Sequence, residues 1–373
     1  MSTLHGVVDL NIFSEVNVNT FKRVAAVTAT MILALGSLAA CGSNSGDAGS
    51  GSGDTADGAT IALLLPETKT TRYESFDKPL FEAKVKELCP KCKVNYLNAD
   101  QDASKQQQQA ESALTDGASV LVLDPVDGKA ATSIVKSAQS SNVPVVAYDR
   151  FIEGADYYIS FNNERVGEMQ GEALVEATGN KGDILMLNGS PTDPNAAQFK
   201  KGAHSVLDKS GLNIIAEYDN PDWSPDNAQK FTSSQFNKID PSSLVGVYAA
   251  NDGQAGGVFA AFRAEGLDSV PPITGQDAEL AGIQRIVAGQ QYMTVYKPIK
   301  IEAEKAAELA VNIVTGKDVS GTTDYEGVAS YILDPIAVTK DKVKDTVVAD
   351  GFYEVADICT AEYADACKAA GLS

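Results

Sequence analysis

The sequence predicts an α/β protein made of two doubly wound parallel-sheet lobes that face each other across a cleft. Three observations predict it. From residue 60 onward, short apolar runs alternate with amphipathic helical segments, the pattern of parallel sheets covered on both faces. That plan runs through the chain twice, up to about residue 162 and again up to about residue 297. The length of 373 residues suits two domains and leaves no stretch for a separate catalytic or DNA-binding module.

The first strand is the apolar run 61–65, IALLL, buried by its length and flanks. After a loop at 66–71 come a helix at 75–88, a strand at 94–98, and a helix at 102–116 with a glutamine-rich exposed face, stopped by Gly117. The strand 120–123 ends in Asp124-Pro125, the helix 130–140 follows, and the strand 143–148 ends in Asp149-Arg150. A second strand-like run, 157–161, reads as the first crossing between lobes. The second half places helices at 164–178, 196–209, 225–236, 253–265 and 279–288 among strands at 183–187, 213–218, 245–249, 272–274 and 292–296. The only tryptophan, Trp223, falls in the loop 220–224. Lys297-Pro298 breaks into a helix at 299–314, and the remainder, including 331–338, reads as short strands and a terminal tail.

This order sets the expected domains: a signal peptide at 1–40, a tether at 41–58, a first lobe of 59–162 plus 298–325, a second lobe of 163–297 plus 326–358, and a tail at 359–373. The lobes are joined by a three-stranded hinge, with crossings expected at Asn162-Asn163, near 277–292, and at Lys297-Pro298.

The formal charge of −20 and pI near 4.5 argue against nucleic acid, because a phosphate-binding surface must be basic. At the N-terminus, Lys22 and Arg23 precede an apolar stretch ending in LAACG, the layout of an export signal. The placement of Cys41 resembles the lipobox of bacterial lipoproteins, which implies a diacylated Cys41 as the mature N-terminus and a chain held on the outer face of the cell membrane. An uncleaved membrane anchor with a chance cysteine is the plainer alternative. Residues 42–58 carry no large apolar side chain and cannot fold alone.

The four remaining cysteines, Cys89, Cys92, Cys359 and Cys367, suit disulfides in an exported chain. Three pairings are possible, and the local pairs are the simplest. A redox-active Cys89-Pro90-Lys91-Cys92 would want its first cysteine at a helix N-terminus, whereas here the motif follows a helical run. The spacing Cys359–Cys367 does not suit zinc, and His5 lies in the segment removed. No metal and no cofactor is expected.

In an open α/β sheet, ligands bind beyond the C-terminal ends of the strands. Those positions hold Arg72, Tyr73, Glu74, Phe76, Asp124, Asp149 and Arg150 in the first half. In the second they hold Asp193, Asn195, Trp223, Asn251, Asp252, Asp277 and Lys297. Each sugar hydroxyl both donates and accepts, so Asp, Asn and Arg can hold it bidentately, and aromatic rings can cover the C–H faces. Phe76 and Trp223 come from different lobes and are expected to sandwich one ring. Plainer roles compete: Asp252 reads as a helix N-cap before Gly253, and Asp124 as a turn former before Pro125. Trp223 alone reads as well as a packing residue. Gly167, Gly256 and Gly257 read as helix–sheet packing glycines, since no GxGxxG or Walker lysine follows a strand.

The segments AYDRFI, DYYISFNNERVGEMQGEAL, GSPTDPNAAQF, AANDGQAGG, GQDAELAGIQRIVAGQQYMTVYKPI and KDTVVADGFY occur in an order that resembles the sugar-binding type I periplasmic-binding family. Within it, they resemble the D-xylose-binding proteins of bacterial ABC importers, from about residue 59 to about 355. The resemblance implies the fold of that family and sugar contacts from Asp149 and Arg150 in YDR, Asp193 and Asn195 in SPTDPN, and Trp223 in NPDW. It adds Asn251 in AND, Asp277 in GQD and Lys297 in YKP. TRYESF supplies Arg72 and Phe76, with Ser75 where a second arginine is common, which bears on which pentose or hexose fits. The resemblance further implies an extracytoplasmic monomer that binds a monosaccharide, D-xylose or a related aldose, and partners a membrane permease. A sugar-sensing lobe that presents its ligand to a membrane receptor is the alternative in the same fold. Transcription factors of this fold place a helix-turn-helix where the signal and tether stand here.

A glycan hydrolase is the alternative of another class, formally left open by paired carboxylates such as Asp149 and Asp277. Each of these has a basic or amide neighbour that favours an ionised acceptor over a proton-sharing acid. No GxSxG elbow is present, and His204 sits mid-helix as a surface or packing residue.

Overall fold

The computed structural model describes residues 58–267 and 269–372. The expected signal at 1–40, the lipidation site Cys41 and the tether up to residue 57 lie outside the described residues. Among the described residues, no helix is long and apolar enough to cross a membrane.

In chain order the strands are β1 (Thr60–Leu65), β2 (Lys93–Asn98), β3 (Ala118–Leu123), β4 (Val145–Tyr148), β5 (Tyr157–Phe161), β6 (Gly182–Asn188), β7 (Leu212–Asp219), β8 (Leu244–Ala249), β9 (Met293–Tyr296), β10 (Thr323–Tyr325), β11 (Val328–Leu333) and β12 (Ile336–Thr339). The helices are α1 (Lys78–Leu88), α2 (Ala103–Thr115), α3 (Thr132–Ser140), α4 (Asn163–Thr178), α5 (Pro194–Leu207), α6 (Pro225–Phe236), α7 (Asp252–Ala264), α8 (Leu280–Val287), α9 (Ile299–Thr315), α10 (Val355–Ile358) and α11 (Ala364–Ala369).

The first sheet runs β2-β1-β3-β4-β5-β11-β10, parallel except for the β10–β11 pair. Its central strands β1, β3 and β4 are apolar because both faces are covered, while the edge strands β2 and β10 are polar. Along β1, Ile61, Leu63 and Leu65 enter one core with α1 and α9, while Ala62 and Leu64 enter the other with α2 and α3. The second sheet starts as β7-β6-β8, all parallel. It continues through a bridge from Val247 to Ile273 and another from Gln276 to Val295 of β9, which pairs antiparallel with β12. Along β6, Ile184 and Met186 face one core, Leu185 and Leu187 the other.

Three expectations need correction. Strand β11, expected in the second lobe, pairs with β5 in the first sheet; alternation reveals a strand but not its partner. The third crossing is not near 277–292, where α8 stays packed within the second lobe, but between β11 and β12, at residues 334–335. The segment 359–373, expected as a separate tail, packs on the second lobe: Cys367 and Leu372 are buried in one core with α8, β9 and β12. The other crossings lie between β5 and α4 and between β9 and α9.

Both local disulfides are formed, Cys89–Cys92 just beyond α1 and Cys359–Cys367 bridging α10 and α11. The packing glycines serve helix–helix rather than helix–sheet contacts. A Cβ on Gly167 of α4 would lie 1.9 Å from the Phe199 carbonyl oxygen of α5, and one on Gly257 of α7 would lie 2.2 Å from that of Pro225 in α6.

Candidate functional site

The first-lobe wall of the site is built on charge. Arg72 ends the loop after β1 and leads into a wide helical turn, Tyr73–Asp77. Its guanidinium is buried, and four of its five N–H groups donate to carboxylates. Nε and Nη2 donate to Asp77 at 2.9 and 2.7 Å, Nη2 also to Glu302 of α9 at 2.7 Å, and Nη1 to Asp149 at 3.0 Å. Tyr148 donates its hydroxyl to Asp77. Asp149, just past β4, adopts φ +56°, a left-handed conformation that non-glycine residues rarely hold without local support. That support comes from Ser160 and Tyr158, whose hydroxyls donate to its carbonyl oxygen. Arg150 lies 2.8 Å from Asp193 and 3.4 Å from Asp124 through Nε, and donates to the Pro125 carbonyl and the Tyr73 hydroxyl.

The second-lobe wall is built on helix N-termini. Asp193 caps α5 through the Asn195 amide at 2.8 Å and accepts the Trp223 indole N–H at 3.2 Å. Asn251 caps α7 through the Gln254 amide at 2.9 Å. Asp252 is therefore not the cap it was expected to be. It is the first residue of α7, fully buried, and accepts from Gln291, Thr294 and the Glu279 amide. Trp223 at φ +61° and Asp277 at φ +85° are also left-handed. Gly189 makes room for the indole: a Cβ there would fall 2.0 Å from the ring.

The walls meet in direct contacts. Asn195 donates to the Asp149 carbonyl at 3.0 Å and to its carboxylate at 3.3 Å. Lys297, at the crossing into α9, lies 3.0 Å from Asp277 and 3.7 Å from Asp149, with its ammonium 5.8 Å from the ring centres of Phe161 and Phe199. Together they line a tightly closed polar cavity of about 20 Å³, far below the roughly 300–1,000 Å³ usual for small-molecule sites. A larger groove of about 760 Å³, lined by Pro271, Pro272 and Tyr292, lies away from these charges.

Three cations, Arg72, Arg150 and Lys297, share this interior with six carboxyls: Asp77, Asp124, Asp149, Asp193, Asp277 and Glu302. Burial works to raise the Asp149 carboxyl, yet Arg72, Lys297 and Arg150 hold it down at about 2. Burial wins at Asp124 and Glu302, which are pushed well up despite Arg150 and Arg72 respectively, and it raises Asp193 as well. The site thus mixes firm ionised acceptors with carboxyls biased toward their neutral, donating form. Buried acceptor atoms on Asn195 and Gln276 have no protein donor, which suits a hydroxyl-bearing guest.

Nine of the ten expected ligand residues line this cavity: Arg72, Asp149, Arg150, Asp193, Asn195, Trp223, Asn251, Asp277 and Lys297. Phe76 does not. Its ring stacks on Phe352 at 4.1 Å and meets Tyr353 edge-on at 5.6 Å, because the wide turn aims it at the C-terminal segment. The expected sandwich of Phe76 with Trp223 is therefore absent, and the aromatic partner of Trp223 is Phe199, edge-on at 6.4 Å. The cavity also takes in Tyr73, expected at a strand end but not among the sugar contacts, and Thr70, Phe199 and Gln276, which sequence reasoning left out. Asp77 and Glu302, behind Arg72, were missed as well. A signal existed for Glu302: it interrupts the apolar face of α9 between Ile299 and Ala303.

Two α/β lobes linked by three crossings and closed on a polar cavity define a small-molecule-binding protein of the type I periplasmic-binding fold. Residues 61–318 match the periplasmic binding protein domain, and the chain belongs to that family. It is 38% identical over 312 residues to the D-xylose-binding periplasmic protein of Escherichia coli K12, spanning 80% of this chain and 92% of that one. To the protein of the same description from Haemophilus influenzae it is 36% identical, over 79% of this chain and 90% of the relative. Among solved structures it resembles a carbohydrate transporter solute-binding protein from Chloroflexus aurantiacus in complex with D-glucose. There the TM-score is 0.72 at 25% identity, covering 80% of this chain and 97% of the other. The chain is a binding protein, not an enzyme.

Proposed function

We propose that this protein captures a monosaccharide, D-xylose or a related aldose, between its lobes and delivers it to an ABC-type importer from outside the cytoplasm. The observation that carries the reading is the convergence of donors, acceptors and one indole from both lobes on a single polar cavity. Asp149, Arg150, Asp193, Asn195, Asn251, Asp277 and Lys297 hold the hydroxyls, Arg72 braces Asp149, and Trp223 covers one face of the ring. The descriptions of the Escherichia coli and Haemophilus influenzae relatives support D-xylose, and their periplasmic location supports an extracytoplasmic site. The protein acts as a monomer, held at the membrane by lipid on Cys41; the tether raises its effective concentration near the permease.

Calorimetry against a panel of pentoses and hexoses tests the reading. It expects saturable heat with D-xylose or a close aldose and recovery of the sugar unchanged by chromatography. Heat only with amino acids or peptides, or with nothing, overturns it. The anchor is tested in cells: Cys41→Ala should move the protein from the membrane to the soluble fraction, and an unchanged membrane fraction would refute lipidation.

A further inference from the structure

Phe76 has no place at the cavity, yet it makes the closest aromatic stack among the described residues. The turn that carries it, Tyr73–Asp77, packs on α1 and α9 and so belongs to the first lobe. Its partners Phe352 and Tyr353 belong to the second: they sit in one core with Ile283, Ile286, Val338 and Val347, and Phe352 also packs on Tyr296 of β9. Phe352 and Tyr353 are each 9% exposed with Phe76 in place. Opening the cleft moves these rings relative to one another, because they ride on different lobes.

We infer that Phe76, Phe352 and Tyr353 form a closure latch: a hydrophobic contact outside the sugar cavity that adds to affinity by favouring the closed arrangement of the lobes. The inference rests on the sugar-binding reading above for its link to affinity. Among the described residues, the lobes also meet outside the cavity through polar contacts. Lys69 pairs with Asp222 at the surface, and the Gly128 amide donates to the Thr192 carbonyl at 3.2 Å. Water replaces such contacts readily on opening, so they bias the equilibrium little. The aromatic contact has no such replacement, since opening returns apolar ring surface to water.

The same short turn couples the latch to the site. Tyr73 lines the cavity, Asp77 grips the Arg72 guanidinium, and Phe76 docks on the other lobe. The receiving surface is stiffened by the Cys359–Cys367 disulfide and by the burial of Ile358 and Cys367 beneath it. The C-terminal segment thus acts as a fixed platform against which the first lobe closes.

The test compares wild type, Phe76→Ala, Phe352→Ala and the double variant, using D-xylose and the monosaccharide panel. Each single variant should weaken every sugar bound by wild type by the same factor, about fivefold to tenfold for one aromatic pair, carried by faster dissociation. The double variant should bind little worse than the weaker single. Phe352→Ala also removes a ring from the second-lobe core and should lower the Tm of the sugar-free protein, so the coupling is read from affinity and not from Tm. Unchanged affinity in both single variants overturns the latch. So does a reordering of sugar preference, which would place Phe76 at the sugar. Small-angle scattering gives a readout that needs no sugar: Phe76→Ala should enlarge the radius of gyration of the sugar-free protein. An unchanged radius overturns the latch, while failure of wild type to bind any sugar overturns only the proposed function.

Discussion

The two walls of the cavity hold their side chains in place by different means. On the first lobe, Arg72 is pinned by Asp77, Asp149 and Glu302, and Arg150 by Asp124 and, from across the cleft, by Asp193. On the second lobe, Asp193 and Asn251 are pinned by their own backbones as caps of α5 and α7, and Trp223 by its bond to Asp193. A cap is a local device worth about 1 kcal/mol, whereas a buried charge network fails as a unit. The first wall should therefore be brittle and the second tolerant. The comparison also shows that a capping role and a ligand role need not compete, because the atoms facing a helix N-terminus and those facing the cavity belong to one side chain.

The largest expected effect is at Arg72. Arg72→Ala strands Asp77, Asp149 and Glu302 without their shared cation, and should cost about 3–5 kcal/mol in urea unfolding together with sugar binding. A loss below about 1 kcal/mol would show that the first wall is not a unit.

Glu279, behind the second wall beside Asp252 and Asp277, is pinned by neither device. Burial, with Asp252 and Asp277 nearby, pushes its carboxyl up to about 8 from 4.5, and one of its oxygens has no partner. Between those values the folded chain holds a proton that the unfolded chain has lost, so stability should fall as pH rises through the window. The Tm at about pH 8 should lie below that at about pH 5, and Glu279→Gln should flatten the difference. A wild-type Tm that rises across the same interval would contradict the assignment.

The smallest effect on stability should be at Asn251. Asn251→Ala should cost about 1 kcal/mol of stability through the lost cap while clearly weakening sugar binding. A loss as large as that at Arg72 would erase the contrast between the walls.

Much of this was legible in the chain. Strands such as β1 and β6 are short apolar runs because both their faces are buried, and the residues directly after strands had to face the cleft. That rule reached Asp149, Arg150, Asp193, Asp277 and Lys297. It failed for Phe76, which follows β1 by a loop and part of a helical turn, where one residue of difference reverses the side a ring faces. It failed for Glu302 because that residue acts from within a helix, behind another side chain. The placement of β11 depended on a partner more than 160 residues away, which local pattern does not encode.

Trp223 is the chain's single tryptophan and lies inside the cavity, so its fluorescence reports on the site alone. Titrating the protein with D-xylose should give a saturable change in that emission, reversed on dialysis and lost in Asp149→Ala. A flat emission trace with D-xylose and with every other aldose of the panel would contradict the claim that the two lobes close on a sugar.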